Sequence, residues 1–236
     1  KPRSEDSDAG TADLIRELGL AAPGTDFESD LQYISIIGSI EGHIALPMEN
    51  KTTKYEHLIP QLIAVEENPK LRGLLVILNT MGGDVEAGLA LAEMIATLSK
   101  PTVSLVLGGG HSIGIPLATA TDYSFIAGTA TMTLHPIRTT GLVITAETTF
   151  DYMRKTQDRV IDFIAGHSRA TRKRVTELMN CSDNMSNDVG TILFGKEAVD
   201  AGIIDAVGGV SQALGELRRR VAKVDELEKE IFISTD

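Results

Sequence analysis

The chain has 236 residues, 42% of them hydrophobic and 23% charged, which suits one substantial globular core. A net charge of −11, from 33 acidic against 22 basic residues, argues against a nucleic-acid groove or an anionic lipid surface as the binding partner. Aromatics are only 4% and tryptophan is absent, so the core must come from Ile, Leu, Val, Ala and Gly, as in a layered α/β fold.

Residues 1–30 are rich in charged and small residues, with one short amphipathic piece around Leu14–Leu20, and read as a flexible N-terminal arm. No secretory signal is read there. The Ile-rich run Tyr33–Ile40 predicts a first strand, and Lys54–Glu67 a helix in which Pro60 marks either a kink or a later start. Leu74–Leu78 is wholly apolar, as in a strand covered on both faces, and leads into a tight turn at Asn79–Asp84. Asp84 is placed to cap a helix over Val85–Leu98.

From Pro101 to Thr121 no charged residue occurs, nearly the length of a membrane span. Gly108-Gly109-Gly110, His111, Ser112 and Pro116 interrupt it, so a strand over Thr102–Leu107, a glycine turn and a helix over Ser112–Ala120 are expected instead. Two short strands follow, Tyr123–Ile126 and Thr131–Leu134. Strand–helix alternation implies crossovers and a mainly parallel sheet. After Pro136, Phe150, Met153, Val160, Ile161 and Ile164 recur at helical spacing, and a charged helix over Ala170–Met179 completes a helical arm at about residues 137–180. The lone cysteine, Cys181, excludes an internal disulfide framework and a CxxC metal or redox pair and fits a reducing compartment. Residues 211–236 read as a C-terminal helix, to about Lys229, and tail; Arg218-Arg219-Arg220 belongs to its solvated side.

Gly110-His111-Ser112-Ile113-Gly114 fits a G-x-S-x-G elbow. Glycines flank the serine because a sharp strand-to-helix turn has no room for Cβ atoms. Such a turn projects the hydroxyl and aims the Ile113 amide at a developing oxyanion. A glycine-rich turn with an incidental serine gives the same pattern. Gly82-Gly83 also follows an apolar strand and precedes a helix, so both turns open at one sheet edge and its amides can supply a second oxyanion donor. A phosphate-binding turn is the alternative, but neither G-x-G-x-x-G nor a P-loop lysine accompanies it. His135 ends a strand and is restricted by Pro136. His43, His57 and His167 lie in ordinary segments, and His111 is adjacent to the serine, a poor place for its base.

Asn79-Thr80-Met81-Gly82-Gly83, Gly110-His111-Ser112-Ile113-Gly114, Met132-Thr133-Leu134-His135-Pro136 and Ala198-Val199-Asp200-Ala201-Gly202-Ile203-Ile204-Asp205 run in the order found in Clp protease proteolytic subunits. Residues 31–210 resemble that family, and within it the translocation-enhancing branch. The resemblance implies a ClpP/crotonase-like ββα superhelix with a protruding helical handle. It implies Ser112 as nucleophile, His135 as base, and Gly82 and Ile113 as the oxyanion hole. The triad acid is Asp188 if a small insertion is allowed, with Asp183 as runner-up; without a gap the position falls on Gly190. Pro136 stands where the family has Gln, and His111 where it has a small residue. The segment before Tyr33 does not match the axial loop that contacts an unfoldase ATPase, so that partner does not carry over.

The expected activity is therefore a cytoplasmic serine endopeptidase, acting on peptides or unfolded proteins in homo-oligomeric rings and needing neither metal nor organic cofactor. An α/β-hydrolase requires its histidine after its acid, and none follows Asp183 or Asp188. A Ser-Lys peptidase using Lys155 and a silent, peptide-binding scaffold remain alternatives. Acyl-CoA hydratases share the fold, but their chemistry needs no Ser-His pair.

Overall fold

A computed structural model of the protein describes residues 29–138, 145–182 and 189–234. The N-terminal arm up to residue 28, and both Asp183 and Asp188, lie outside the described residues. Strands β1 (Leu31–Glu41), β2 (Thr52–Lys54), β3 (Gly73–Gly83), β4 (Thr102–Gly110), β5 (Tyr123–Ile126) and β8 (Ala206–Val207) form one parallel sheet in the order β2-β1-β3-β4-β5-β8. Strand β6 (Thr131–Leu134) joins β4 through Gly109 and Thr131, and pairs antiparallel with β7 (Thr191–Phe194).

The sheet is covered on both faces, which explains the unbroken apolar strands. Ile34, Ile36, Val76, Leu78 and Val106 share a core with helices α1 (Tyr55–Glu67), α2 (Val85–Ala96), α3 (Gly114–Thr119), α4 (Ala146–Gly166) and α5 (Arg172–Met179). A short helix, α6 (Lys196–Asp200), adds Ala198 to that core. On the other face Leu75, Val103, Leu105 and Phe125 meet Ala213, Leu217 and Val221 of the C-terminal helix α7 (Val210–Ser234). Among the described residues no helix is long and apolar enough to cross a membrane.

Two expected turns are strand instead. β3 continues through Asn79–Gly83 and β4 through Gly108–Gly110, because these residues still pair: Ser39 with Gly82, Ile40 with Gly83, and Thr80 with Gly110. Gly82 (φ 90°) and Gly83 (φ 155°) supply the backbone that ends β3 sharply. Pro60 stays inside α1, on an exposed side of the helix where water can serve the carbonyl it leaves unpaired. Helix α4 is buried through Thr156, Val160, Ile161, Phe163 and Ile164 toward its C-terminus, whereas Phe150 (68%) and Tyr152 (62%) near its start are exposed.

Candidate active site

The carboxyl ends of β3 and β4 and the end of β6 converge on one cleft, the place where parallel α/β sheets bind ligands. β4 runs through Gly110 and turns at Ser112 into α3. Ser112 has φ 55°, the only positive φ among the described non-glycine residues. A β-carbon there is strained, and the strain is held by a hydrogen-bonded frame. The Ser112 amide donates to the Thr133 carbonyl (2.9 Å), the His111 amide to the Thr80 carbonyl (3.1 Å), and the Ile115 amide to the Ser112 carbonyl (3.0 Å). The His111 ring bonds through Nδ1 to Thr133 Oγ1 at 2.9 Å, so Thr133 of β6 holds the elbow at both His111 and Ser112.

Strand β6 ends at Leu134 and hands His135 to the same cleft. A cavity of about 140 Å³ is lined by Ser112, Ile113, His135 and Gly83, with apolar walls from Val85, Ile115, Leu134, Val160 and Met179. Ile137 and Arg138 also border it. His135 Nδ1 lies 2.7 Å from the Pro136 carbonyl oxygen. Burial and, to a smaller extent, the neighbouring His135 hold the pKa of His111 below the usual histidine value, which disfavours its charged form.

The glycines explain why the serine can sit where it does. A Cβ on Gly82 would lie 2.7 Å from Ser112 Cβ and 2.9 Å from the His111 carbonyl oxygen. The Gly82 amide, expected from the sequence as an oxyanion donor, donates to Thr80 Oγ1 at 3.0 Å, and it is Gly83 that borders the cleft. Thr80 Oγ1 in turn donates to the Gly38 carbonyl at 2.6 Å, tying the elbow's neighbour to β1. The Ile113 amide has no hydrogen-bond acceptor among the described residues and belongs to a residue of the cleft wall. Thr80 and Thr133 are the parts that sequence reasoning missed. Thr80 and Thr133 stand within the sequence motifs, but only long-range bonds give them a role.

The structure brings together Ser112, His135 and Ile113, sets Gly82 beneath the serine, and leaves Lys155 exposed on α4, outside the residues lining the cleft. Gly190, where the triad acid falls without a gap, has φ 143°; a Cβ there would lie 2.3 Å from the Leu134 carbonyl oxygen and 3.0 Å from His135 Cβ. His167 is stacked on Phe163 and His43 is edge-on to Tyr55, both remote from this chemistry in their bonding. A larger groove of about 910 Å³ opens at the amino ends of the strands, beside Leu71, Arg72, Lys100 and Val221. Its Lys100 ammonium is taken by the carbonyls of Val65 and Asn68, and it holds no histidine, so the smaller cleft is the candidate site. Among the described residues no three His, Cys, Asp or Glu side chains converge as metal ligands.

Comparison with known proteins agrees with this architecture. The model of the Clp protease family matches residues 29–211. The chain is 52% identical over 223 residues to the translocation-enhancing protein TepA of Halalkalibacterium halodurans, covering 94% of this chain and 87% of that one. It is 25% identical over 162 residues to the ATP-dependent Clp protease proteolytic subunit of Streptococcus uberis, covering 64% and 76% of the two chains.

Proposed function

The chain belongs to the Clp protease family, and from that membership and the cleft's geometry we propose that it is a serine endopeptidase acting on peptides or unfolded protein. The observation that carries the reading is the strained Ser112, φ 55°, sharing one small cleft with His135. Energetically costly backbone of this kind persists where a side chain must be presented to a ligand. Ser112 Oγ attacks the peptide carbonyl while His135 Nε2 takes its proton. The tetrahedral oxyanion is met by the Ile113 amide, with the Gly83 amide as second donor. His135 then protonates the leaving amine, and water activated by the same imidazole hydrolyses the acyl-enzyme. The walls formed by Val85, Ile115, Leu134, Val160 and Met179 favour an apolar side chain beside the scissile bond.

The exposed Phe150 and Tyr152 support assembly of the handle helix α4 into homo-oligomeric rings, which would enclose the cleft in a cytoplasmic chamber. The test of the catalytic reading is labelling with a fluorophosphonate probe and hydrolysis of fluorogenic peptides with apolar residues. Wild type should react, and Ser112→Ala and His135→Ala should each lose about 10⁴-fold or more in turnover. Labelling that persists in Ser112→Ala overturns the assignment.

A second reading is favoured by the name of the 52% identical relative, which speaks of translocation rather than proteolysis. Under it the cleft holds peptides without cutting them. Peptide binding by a wild type that neither labels nor hydrolyses would establish that alternative.

A further inference from the structure

Resting on the protease reading, we propose that His111 is a positioning residue: its imidazole, bonded to Thr133, fixes strand β6 against the elbow and so sets where His135 stands relative to Ser112. The His111 ring meets Thr133 Oγ1 through Nδ1 at 2.9 Å. The Thr133 carbonyl accepts from the Ser112 amide, also at 2.9 Å. One residue of β6 is therefore held twice, by its side chain to His111 and by its backbone to Ser112.

Strand alternation carries that hold to the base. Thr131, Thr133 and His135 are half-buried whereas Met132 and Leu134 are buried, so Thr133 and His135 present their side chains to one face. Only Leu134 separates them, and a shift of Thr133 moves His135 with it. The imidazoles of His111 and His135 are near enough that His135 adds to burial, the larger cause, in lowering the pKa of His111.

Gly109 gives an independent observation. The steric demand of the elbow accounts for Gly110 and Gly114 but not for Gly109. A Cβ on Gly109 would lie 2.6 Å from His111 Nε2 and 2.8 Å from its Cδ2. The ring is thus seated on the β4 backbone at Gly109, where β4 pairs with β6 through Thr131. The Gly109 amide donates to Asn79 Oδ1 at 3.0 Å, so that seat is itself fixed to β3. A small residue at position 111 would leave the seat empty and Thr133 Oγ1 without this bond.

The experiment compares fluorophosphonate labelling and peptide hydrolysis of wild type, His111→Leu and His111→Asn, with hydrogen exchange of the Ser112 amide read by NMR. Leucine fills much of the ring's volume without a polar atom, and asparagine puts an amide atom where Nδ1 stands. His111→Leu should lower kcat and the labelling rate about tenfold, the effect of one lost hydrogen bond in a half-buried site, with KM within about twofold. Exchange of the Ser112 amide should quicken about tenfold in the same variant. His111→Asn should bring both back to within about threefold of wild type. Thr133→Val is isosteric and deletes the same bond from its other end, so it should reproduce His111→Leu and add little when combined with it. A His111→Leu or Thr133→Val protein whose labelling and exchange match wild type overturns the proposal, and so does a His111→Asn protein as impaired as His111→Leu. If wild type is inert to the probe, the protease reading fails alone; amide exchange, which needs no turnover, still decides the role of His111.

Discussion

Thr80 offers the most direct test of how the site is built. Its hydroxyl donates to the Gly38 carbonyl at 2.6 Å and accepts from the Gly82 amide at 3.0 Å. Its own carbonyl accepts from the His111 amide at 3.1 Å. The residue is 2% exposed, so water cannot replace these bonds. Thr80→Val keeps the shape and deletes both hydroxyl bonds, leaving the Gly82 amide and the Gly38 carbonyl short of a partner. Each deserted buried group costs about 1–3 kcal/mol, so a loss of roughly 2–5 kcal/mol is expected. For a domain of this size that lowers the transition temperature by roughly 5–15 °C. Thr80→Ser keeps the hydroxyl and loses only a methyl, one that would sit 2.7 Å from a Cβ at Gly114; its cost should be nearer 1 kcal/mol. Thermal unfolding followed by circular dichroism measures stability, and fluorophosphonate labelling well below the transition measures the elbow. Thr80→Val as stable as wild type within about 0.5 kcal/mol, and labelled at the same rate, would refute this account of the frame.

Gly82→Ala should cost about 1–3 kcal/mol in backbone strain alone, and its Cβ, 2.7 Å from Ser112 Cβ, should displace the serine and abolish labelling while circular dichroism still reports a folded chain. Because burial and then His135 depress the pKa of His111, the unfolded chain takes up a proton there before the native one does. Stability should therefore fall as pH drops below about 6.5 and level off once pH passes the depressed native value, and chemical denaturation of His111→Gln should show a shallower decline over the same range. Phe150→Asp combined with Tyr152→Asp should leave monomer stability within about 0.5 kcal/mol, since both side chains are exposed; sedimentation velocity should show smaller species than wild type, and an unchanged distribution would remove the handle from the assembly surface.

Much of the fold is legible because its signals are local. Leu74–Leu78 and Thr102–Leu107 read as buried strands, since Leu74, Val76 and Leu78 face one core while Leu75 faces the other. Asp84 reads as a helix cap, and its carboxylate does accept from the Ala87 amide at 2.9 Å. The strands β2 and β8 escape notice because they have only three and two residues, and β7 escapes too, though the equally short β5 and β6 do not. Segments that short carry no periodicity; they are strands only because Ser39 meets Thr52, Thr131 meets Phe194 and Phe125 meets Ala206. The ends of β3 and β4 are misread for the opposite reason. Their glycines announce a turn, yet the ladder continues through Gly83 and Gly110.

The site divides along the same line. Ser112 is legible because the steric demand of an elbow is written in its two flanking glycines. His135 is legible as a strand-terminal residue held by proline, but its nearness to Ser112 depends on β6, whose Thr133 carbonyl accepts from the serine's amide 21 residues away in sequence. Gly82 and Gly83 are indistinguishable in a pattern. What separates them is pairing: the Gly82 amide is consumed by Thr80 Oγ1, while the next residue turns toward the cleft. Which glycine amide is left facing the cleft is thus decided by a threonine hydroxyl bonded to β1, 42 residues away in sequence. A parallel sheet makes such choices non-local, since every strand neighbour arrives through a crossover. That is why the elbow at Ser112 could be read from five consecutive residues and the frame that holds it could not.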